Sequence, residues 1–243
     1  LVTIPLHTGV HISEAFIQKQ TGAVYAWSPG DIGFTKIDGT EMPYANGIEV
    51  SADGHEFYIA SSGLLQVLAF SNSNPARLLR SSNTLSFIPD NLHMSNDGRL
   101  ITGGLEIADP VCGDVPMSLE FDLEKFASCP RPFTILAVDP QSMQDSVIAS
   151  SPAHKHFSNI TMALEVGTEL WIGTFAGDRI AYRTLEQGNE ILRVIDAGLV
   201  AGAIGITGAA SRLDPRSGEK AGLEIAKAAR QLSIQLGWRE PVA

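Results

Sequence analysis

Asn46-Gly-Ile-Glu-Val-Ser-Ala-Asp-Gly54 recurs 44 residues further on as Asp90-Asn-Leu-His-Met-Ser-Asn-Asp-Gly98. Each copy reads as a short strand, a Ser-x-Asp-Gly turn and a return strand: Glu56-Phe-Tyr-Ile-Ala60 in the first, Arg99-Leu-Ile-Thr102 in the second. The Asp-Gly pair supplies the positive φ that a tight hairpin needs. A third copy runs Ile160-Thr-Met-Ala-Leu164, a turn at Gly167, then Glu169-Leu-Trp-Ile-Gly173. Further strand-like runs follow each copy, at Leu64–Phe70 and Ala76–Arg80, at Phe133–Asp139 and Ser146–Ala149, and at Arg179–Tyr182. An earlier partial unit holds Leu1–Ile4 and Gly22–Trp27. A period of about 40–45 residues with four strands per unit is the arithmetic of a β-propeller blade. The interval before the third copy is longer because a loop from Glu106 to Pro132 intervenes.

Residues 1–186 therefore read as about four blades of an all-β partial propeller. A closed ring of this strand pattern needs more, so the segment reads as the C-terminal part of a propeller or as an open ring. After a boundary near Leu185–Gly188 the pattern changes. Glu190–Ile195 and Val200–Ile206 are strand-like, and Gly218–Leu236 carries Leu223, Ala226, Ala229 and Leu232 near helical spacing, with Gly237 as a stop. Residues 187–243 thus read as a small α/β segment, whose helix or the open propeller edge could mediate self-association.

Composition bounds the function. The chain has 243 residues, 44% of them hydrophobic, and a net charge of −10. That hydrophobic content excludes a disordered chain. The acidic balance argues against nucleic acid or an anionic membrane as the main partner and suits a bound cation. The longest weakly polar run, Gly198–Ala210, is shorter than a membrane span. Cys112 and Cys129 read first as free thiols of a cytoplasmic protein, with a disulfide as the alternative. An opening on Leu1-Val2-Thr3-Ile4 leaves an upstream secretion signal open.

The inner strand of each blade lines a propeller's channel, so equivalent positions converge. Asn46 and Asp90 share one register, and Asn91 adds a second amide. Counting back from Gly167 puts Asn159 in that register, and Thr161, two residues on, could line the pocket. These are hard oxygen donors of the type calcium takes. The competing reading is local, because Asn-Gly and Pro-Asp-Asn are ordinary turn sequences. His7 and His11 lie in a Gly-containing loop rather than on a helix, which disfavours zinc. His154 and His156 read as an exposed loop pair, and strand alternation puts His93 on the opposite face from Asp90. No Gly-x-Ser-x-Gly elbow or phosphate loop is present.

Pro43-Tyr-Ala-Asn46-Gly through Asp53-Gly54 resembles a blade of the gluconolactonase and regucalcin-like lactonases. Pro89-Asp90-Asn91-Leu92 followed by Asn96-Asp-Gly98 is similar to the next blade of that family and of the paraoxonase/arylesterases. Thr161–Leu164, Leu170–Thr174 and Arg179–Tyr182 resemble the arylesterase closing blade. The resemblance covers about residues 1–185 and implies a six-bladed propeller and a calcium-dependent hydrolase of lactones or esters. It makes Asn46, Asp90 and Asn91 calcium ligands and Asp90 also a candidate base. A Glu and an Asn of the family's ligand set have no counterpart in this chain. Gly202–Leu213 with a helix ending Gln231–Gly237 resembles the end of the effector-binding domain of IclR-type transcription regulators. The leading expectation is a calcium-dependent lactonase or esterase with a small-molecule substrate. The alternatives are a non-catalytic propeller used for binding and an effector-binding part of a regulator.

Overall fold

The computed structural model describes residues 1–154, 157–176 and 179–185, together with the backbone of 193–196. The helix expected at Gly218–Leu236 and the regulator-like segment lie outside these residues, as does His156.

Four antiparallel sheets follow one another along the chain. The first holds β1 (Val2–Ile4), β2 (Ala23–Ala26) and β3 (Thr35–Lys36). The second holds β4 (Ala45–Val50), β5 (Glu56–Ser61), β6 (Gln66–Ser71) and β7 (Leu78–Ser81). The third holds β8 (Phe87–Met94), β9 (Leu100–Glu106), β10 (Phe133–Val138) and β11 (Asp145–Ser151). The fourth holds β12 (Ile160–Val166), β13 (Glu169–Thr174), β14 (Arg179–Thr184) and β15 (Arg193–Asp196). Within each sheet, neighbours in sequence are neighbours in space, and the first strands β1, β4, β8 and β12 pack successively beside one another. This is an all-β partial propeller of four blades. The outer strand β15 comes from beyond residue 186, so the fourth blade continues into what the sequence pattern assigns to the tail.

The hairpins form where the repeat places them. Gly54 (φ 72°) and Gly98 (φ 83°) take the left-handed conformation after Asp53 and Asp97. In each turn a serine bridges the two strands: Ser51 Oγ donates to the Glu56 carbonyl (3.0 Å), and Ser95 Oγ donates to the Arg99 carbonyl (2.8 Å). In the second and third blades the second strands, β5 and β9, are buried on both faces, which explains the unbroken apolar run Phe57-Tyr-Ile-Ala60. Phe57 and Ile59 pack with Val24, Leu68 and Phe70 toward the first blade. Tyr58 and Ala60, one residue out of phase, pack with Leu92, Leu100 and Val138 toward the third. Ile101, Phe133 and Ile135 continue the same layering against Ile160, Leu170 and Ile172 of the fourth. Side-chain alternation thus stacks each sheet between two neighbours.

Each of the three full inner strands carries a bulge at one level. The pairing of β4 with β5 shifts by one between Ala45 and Ile48, that of β8 with β9 between Pro89 and Leu92, and that of β12 with β13 between Ile160 and Met162. Such bulges re-aim side chains. Asn46-Gly47 is therefore part of a strand, not a turn.

Between β9 and β10, residues 107–132 form an insert with a single short helix, α1 (Leu123–Ser128), capped by the Asp122 side chain. Cys112 and Cys129 are joined in a disulfide across its base, with 5.9 Å between their Cα atoms. This corrects the free-thiol expectation: the chain folds back between them.

Candidate functional site

A cavity of about 170 Å³ opens where the three bulges meet. Its floor carries Tyr44, Asn46, Ser62, Asp90 and Thr161. Asn46 and Asp90, 44 residues apart in sequence, are in hydrogen-bond contact. Ser62 holds the amide in place: Asn46 Nδ2 donates to Ser62 Oγ (3.1 Å), and Ser62 Oγ donates to the Pro89 carbonyl (2.6 Å). An ionised carboxylate only accepts, so the second N–H of Asn46 serves Asp90 and Oδ1 is left as the acceptor. The strands approach closely because residue 47 is glycine. A Cβ there would lie 2.5 Å from the Asp90 carbonyl oxygen and the Leu92 nitrogen.

Burial pushes the Asp90 carboxyl up to about 7, and the Asn46 hydrogen bond only partly opposes it. No basic side chain is among the residues lining the cavity. Among the described residues the carboxylate therefore has dipoles around it but no countercharge in the cavity wall. Burial and the nearby Asp90 charge also raise the Tyr44 hydroxyl. Tyr44 itself sits at φ 47°, a left-handed conformation that costs about 1 kcal/mol or more in a residue with a side chain. Two backbone bonds hold it there: its N–H donates to Thr21 Oγ1 (3.0 Å), and its carbonyl accepts from the Ser62 N–H (3.1 Å).

The remaining candidates divide. Thr161 is in the cavity wall. Asn91 is not; its Nδ2 donates to the Thr161 carbonyl (3.1 Å), tying β8 to β12. Asn159 is a correction. It is 2% exposed, and its side chain accepts from the Arg131 N–H (3.0 Å) and donates to the Ala127 carbonyl (3.0 Å). It anchors the insert and does not face the cavity. The count back from Gly167 overshot by two because this hairpin turns on two residues, Gly167-Thr168, between the paired Val166 and Glu169, where the first two repeats use a longer turn; Thr161 takes the floor position. His93 is absent from the wall and lies near Glu49, with burial holding its imidazole below the usual range. His7 contacts the Tyr25 hydroxyl, and His11 caps the 3₁₀ helix Ile12–Ile17.

The upper walls were not anticipated. Ile12 and Phe16 of the 3₁₀ helix face Phe121, Leu123 and Phe126 of the insert, and Phe175 borders the mouth. Phe16 and Phe121 lie 4.4 Å apart between ring centroids, and Phe121 and Phe126 5.3 Å. Tyr44 stands inside the Pro43–Asn46 motif, so its place was within reach of the sequence. The insert's aromatics follow no repeat and gave no such signal.

No known family and no curated protein matches this chain. Solved structures do. The periplasmic gluconolactonase of Pseudomonas aeruginosa is 18% identical over 74% of this chain and 49% of its own, with a TM-score of 0.45. A Bacteroides uniformis protein provisionally named a 6-phosphogluconolactonase is 14% identical over 72% of this chain and 47% of its own (TM-score 0.43). A luciferin-regenerating enzyme is 14% identical over 63% and 44% (TM-score 0.41). The chain spans about half the length of the structures it matches.

Among the described residues no three His, Cys, Asp or Glu side chains cluster as a metal site, and no helix is long and apolar enough to cross a membrane. A site built on one carboxylate and amide oxygens would not register as such a cluster. The floor does fit a hard cation in chemistry. Asp90 offers two carboxylate oxygens and Asn46 its Oδ1, and no basic side chain among the described residues lines the cavity.

Proposed function

We propose that the chain is part of a calcium-dependent hydrolase of lactones or esters. The observation that carries this reading is the Asn46–Asp90 contact on the floor of a mostly apolar cavity. Asn46 and Asp90 would hold the ion, while Asn91, outside the cavity wall, would tie β8 to β12 beneath them. A calcium ion bound there would polarise a carbonyl oxygen and stabilise the negative charge that develops on it. The chain's own residues do the rest. The hydrophobic walls exclude water and strengthen every charge interaction inside. Ser62 and the Pro89 carbonyl fix the amide before any ligand arrives. Asp90 would be both ligand and candidate base, with a bound cation lowering the basicity that burial alone gives it. The Cys112–Cys129 disulfide favours an oxidising compartment over the cytoplasm.

The test is a calcium titration followed by thermal unfolding and by hydrolysis of γ-butyrolactone and phenyl acetate. Calcium should raise the melting temperature, since a ligand that binds only the folded state stabilises it. Asn46→Ala and Asp90→Ala should each abolish that shift and the hydrolysis. Calcium binding without hydrolysis would support a binding propeller instead. The absence of both binding and hydrolysis would remove the proposal.

A further inference from the structure

The insert 107–132 is braced far more heavily than a surface loop of its length requires. The disulfide closes its base. Arg131, 3% exposed, lies inside: its guanidinium donates to the carbonyls of Gly113 (2.7 Å) and Ile107 (3.3 Å) and rests over the Phe126 ring at 5.4 Å. From the fourth blade, Asn159 clamps both Arg131 and Ala127. All three braces converge on the segment that presents Phe121, Leu123 and Phe126 to the cavity. A wall held this firmly is formed before a ligand arrives, which lowers the ordering cost of binding.

Its chemistry is one-sided. The insert contributes no hydrogen-bonding side chain to the cavity, and the facing 3₁₀ helix adds only Ile12 and Phe16. A polyhydroxylated ligand would lose its bonds to water against these walls without replacement. An apolar cavity of about 150 Å³ takes one benzene ring, and this one measures about 170 Å³.

We propose that the disulfide-closed insert is the specificity element of the site: a preformed wall that takes an uncharged apolar group about the size of one six-membered ring. This deepens the hydrolase reading by naming which part of a substrate the insert selects, and it rests on the same cavity being the substrate's. Binding of the apolar group needs no reaction, so it is measured apart from hydrolysis. Fluorobenzene is titrated into the oxidised chain and followed by ¹⁹F NMR, and calcium affinity is measured calorimetrically on the same samples.

The oxidised chain binds fluorobenzene. Leu123→Trp, which fills the cavity from a position 49% exposed, weakens that binding at least tenfold. The Cys112→Ser/Cys129→Ser double variant weakens it at least fivefold. Both keep calcium affinity within twofold and a single cooperative melting transition. Should the double variant not fold, Leu123→Trp decides. No fluorobenzene binding by the oxidised chain, or equal binding by Leu123→Trp, overturns the proposal. Fluorobenzene binding that depends on the insert, in a chain that neither binds calcium nor hydrolyses esters, upholds the wall and refutes the hydrolase.

Discussion

Asn46, Asp90 and Thr161 reach the cavity from equivalent bulges of three repeated blades, whereas Phe121, Leu123 and Phe126 reach it from one aperiodic segment. The floor is polar and costs stability, because it buries a carboxyl that would rather ionise in water. The roof is apolar and adds stability, because it buries aromatic surface and closes a covalent loop. One fold thus holds a strained polar centre under a stabilising cover, and neutralising the floor carboxyl should move stability in the opposite direction to removing a roof ring.

Phe121→Ala breaks the roof. The ring is 3% exposed and packs on Phe16 and Phe126. Denaturant unfolding should show a loss of about 3–5 kcal/mol. A loss below about 1 kcal/mol would mean that the insert contributes no core.

Asp90→Asn sharpens the contrast from the floor. A carboxyl whose folded pKa is raised binds more protons folded than unfolded, so it lowers stability as pH rises from about 4 to about 7, and the full cost remains above that. Replacing it with Asn should therefore stabilise the chain at pH 8 by about 2–4 kcal/mol and flatten the pH dependence in that window, while abolishing hydrolysis. Destabilisation at pH 8 would sink the account of an uncompensated buried charge. In the unsubstituted chain, calcium should raise the melting temperature more at pH 8 than at pH 5, where the carboxyl is protonated.

Gly47→Ala tests how closely the floor is assembled. The added methyl meets the backbone of β8, which cannot swing away as a side chain would. Unfolding should reveal a loss of about 1–3 kcal/mol, with calcium affinity falling alongside. Asp97→Asn is the smallest change. Arg99 and Ser95 hold this carboxyl well down, to about 2, but the pair is exposed at a turn remote from the cavity. Stability should change by less than about 1 kcal/mol, with no effect on calcium or on fluorobenzene.

The blades were legible because hairpin turns demand a residue that tolerates positive φ, and Ser-x-Asp-Gly advertises that demand in two of the blades, as Gly167 does in a third. The same repeat puts Asn46 and Asp90 in one register, because both stand the same number of residues ahead of their turns. Asn159 shows where counting fails: the glycine marks a two-residue turn in this hairpin and a longer one in the other two, and that difference exchanged Asn159 for Thr161 at the floor. Asn46-Gly47 shows the converse. The pair has the composition of a turn, yet its glycine is set by the backbone of another blade lying against it.

The sequence alone determined the class of fold, the number of blades and the two floor residues that meet, since all three follow from local turn chemistry repeated at a fixed interval. Only the tertiary structure decided that Cys112 and Cys129 pair, that Asn159 is an anchor, that β15 completes the fourth blade and that an aromatic insert roofs the cavity. Each of these depends on contact between segments whose separation follows no period, and such contacts exist only once the chain is folded.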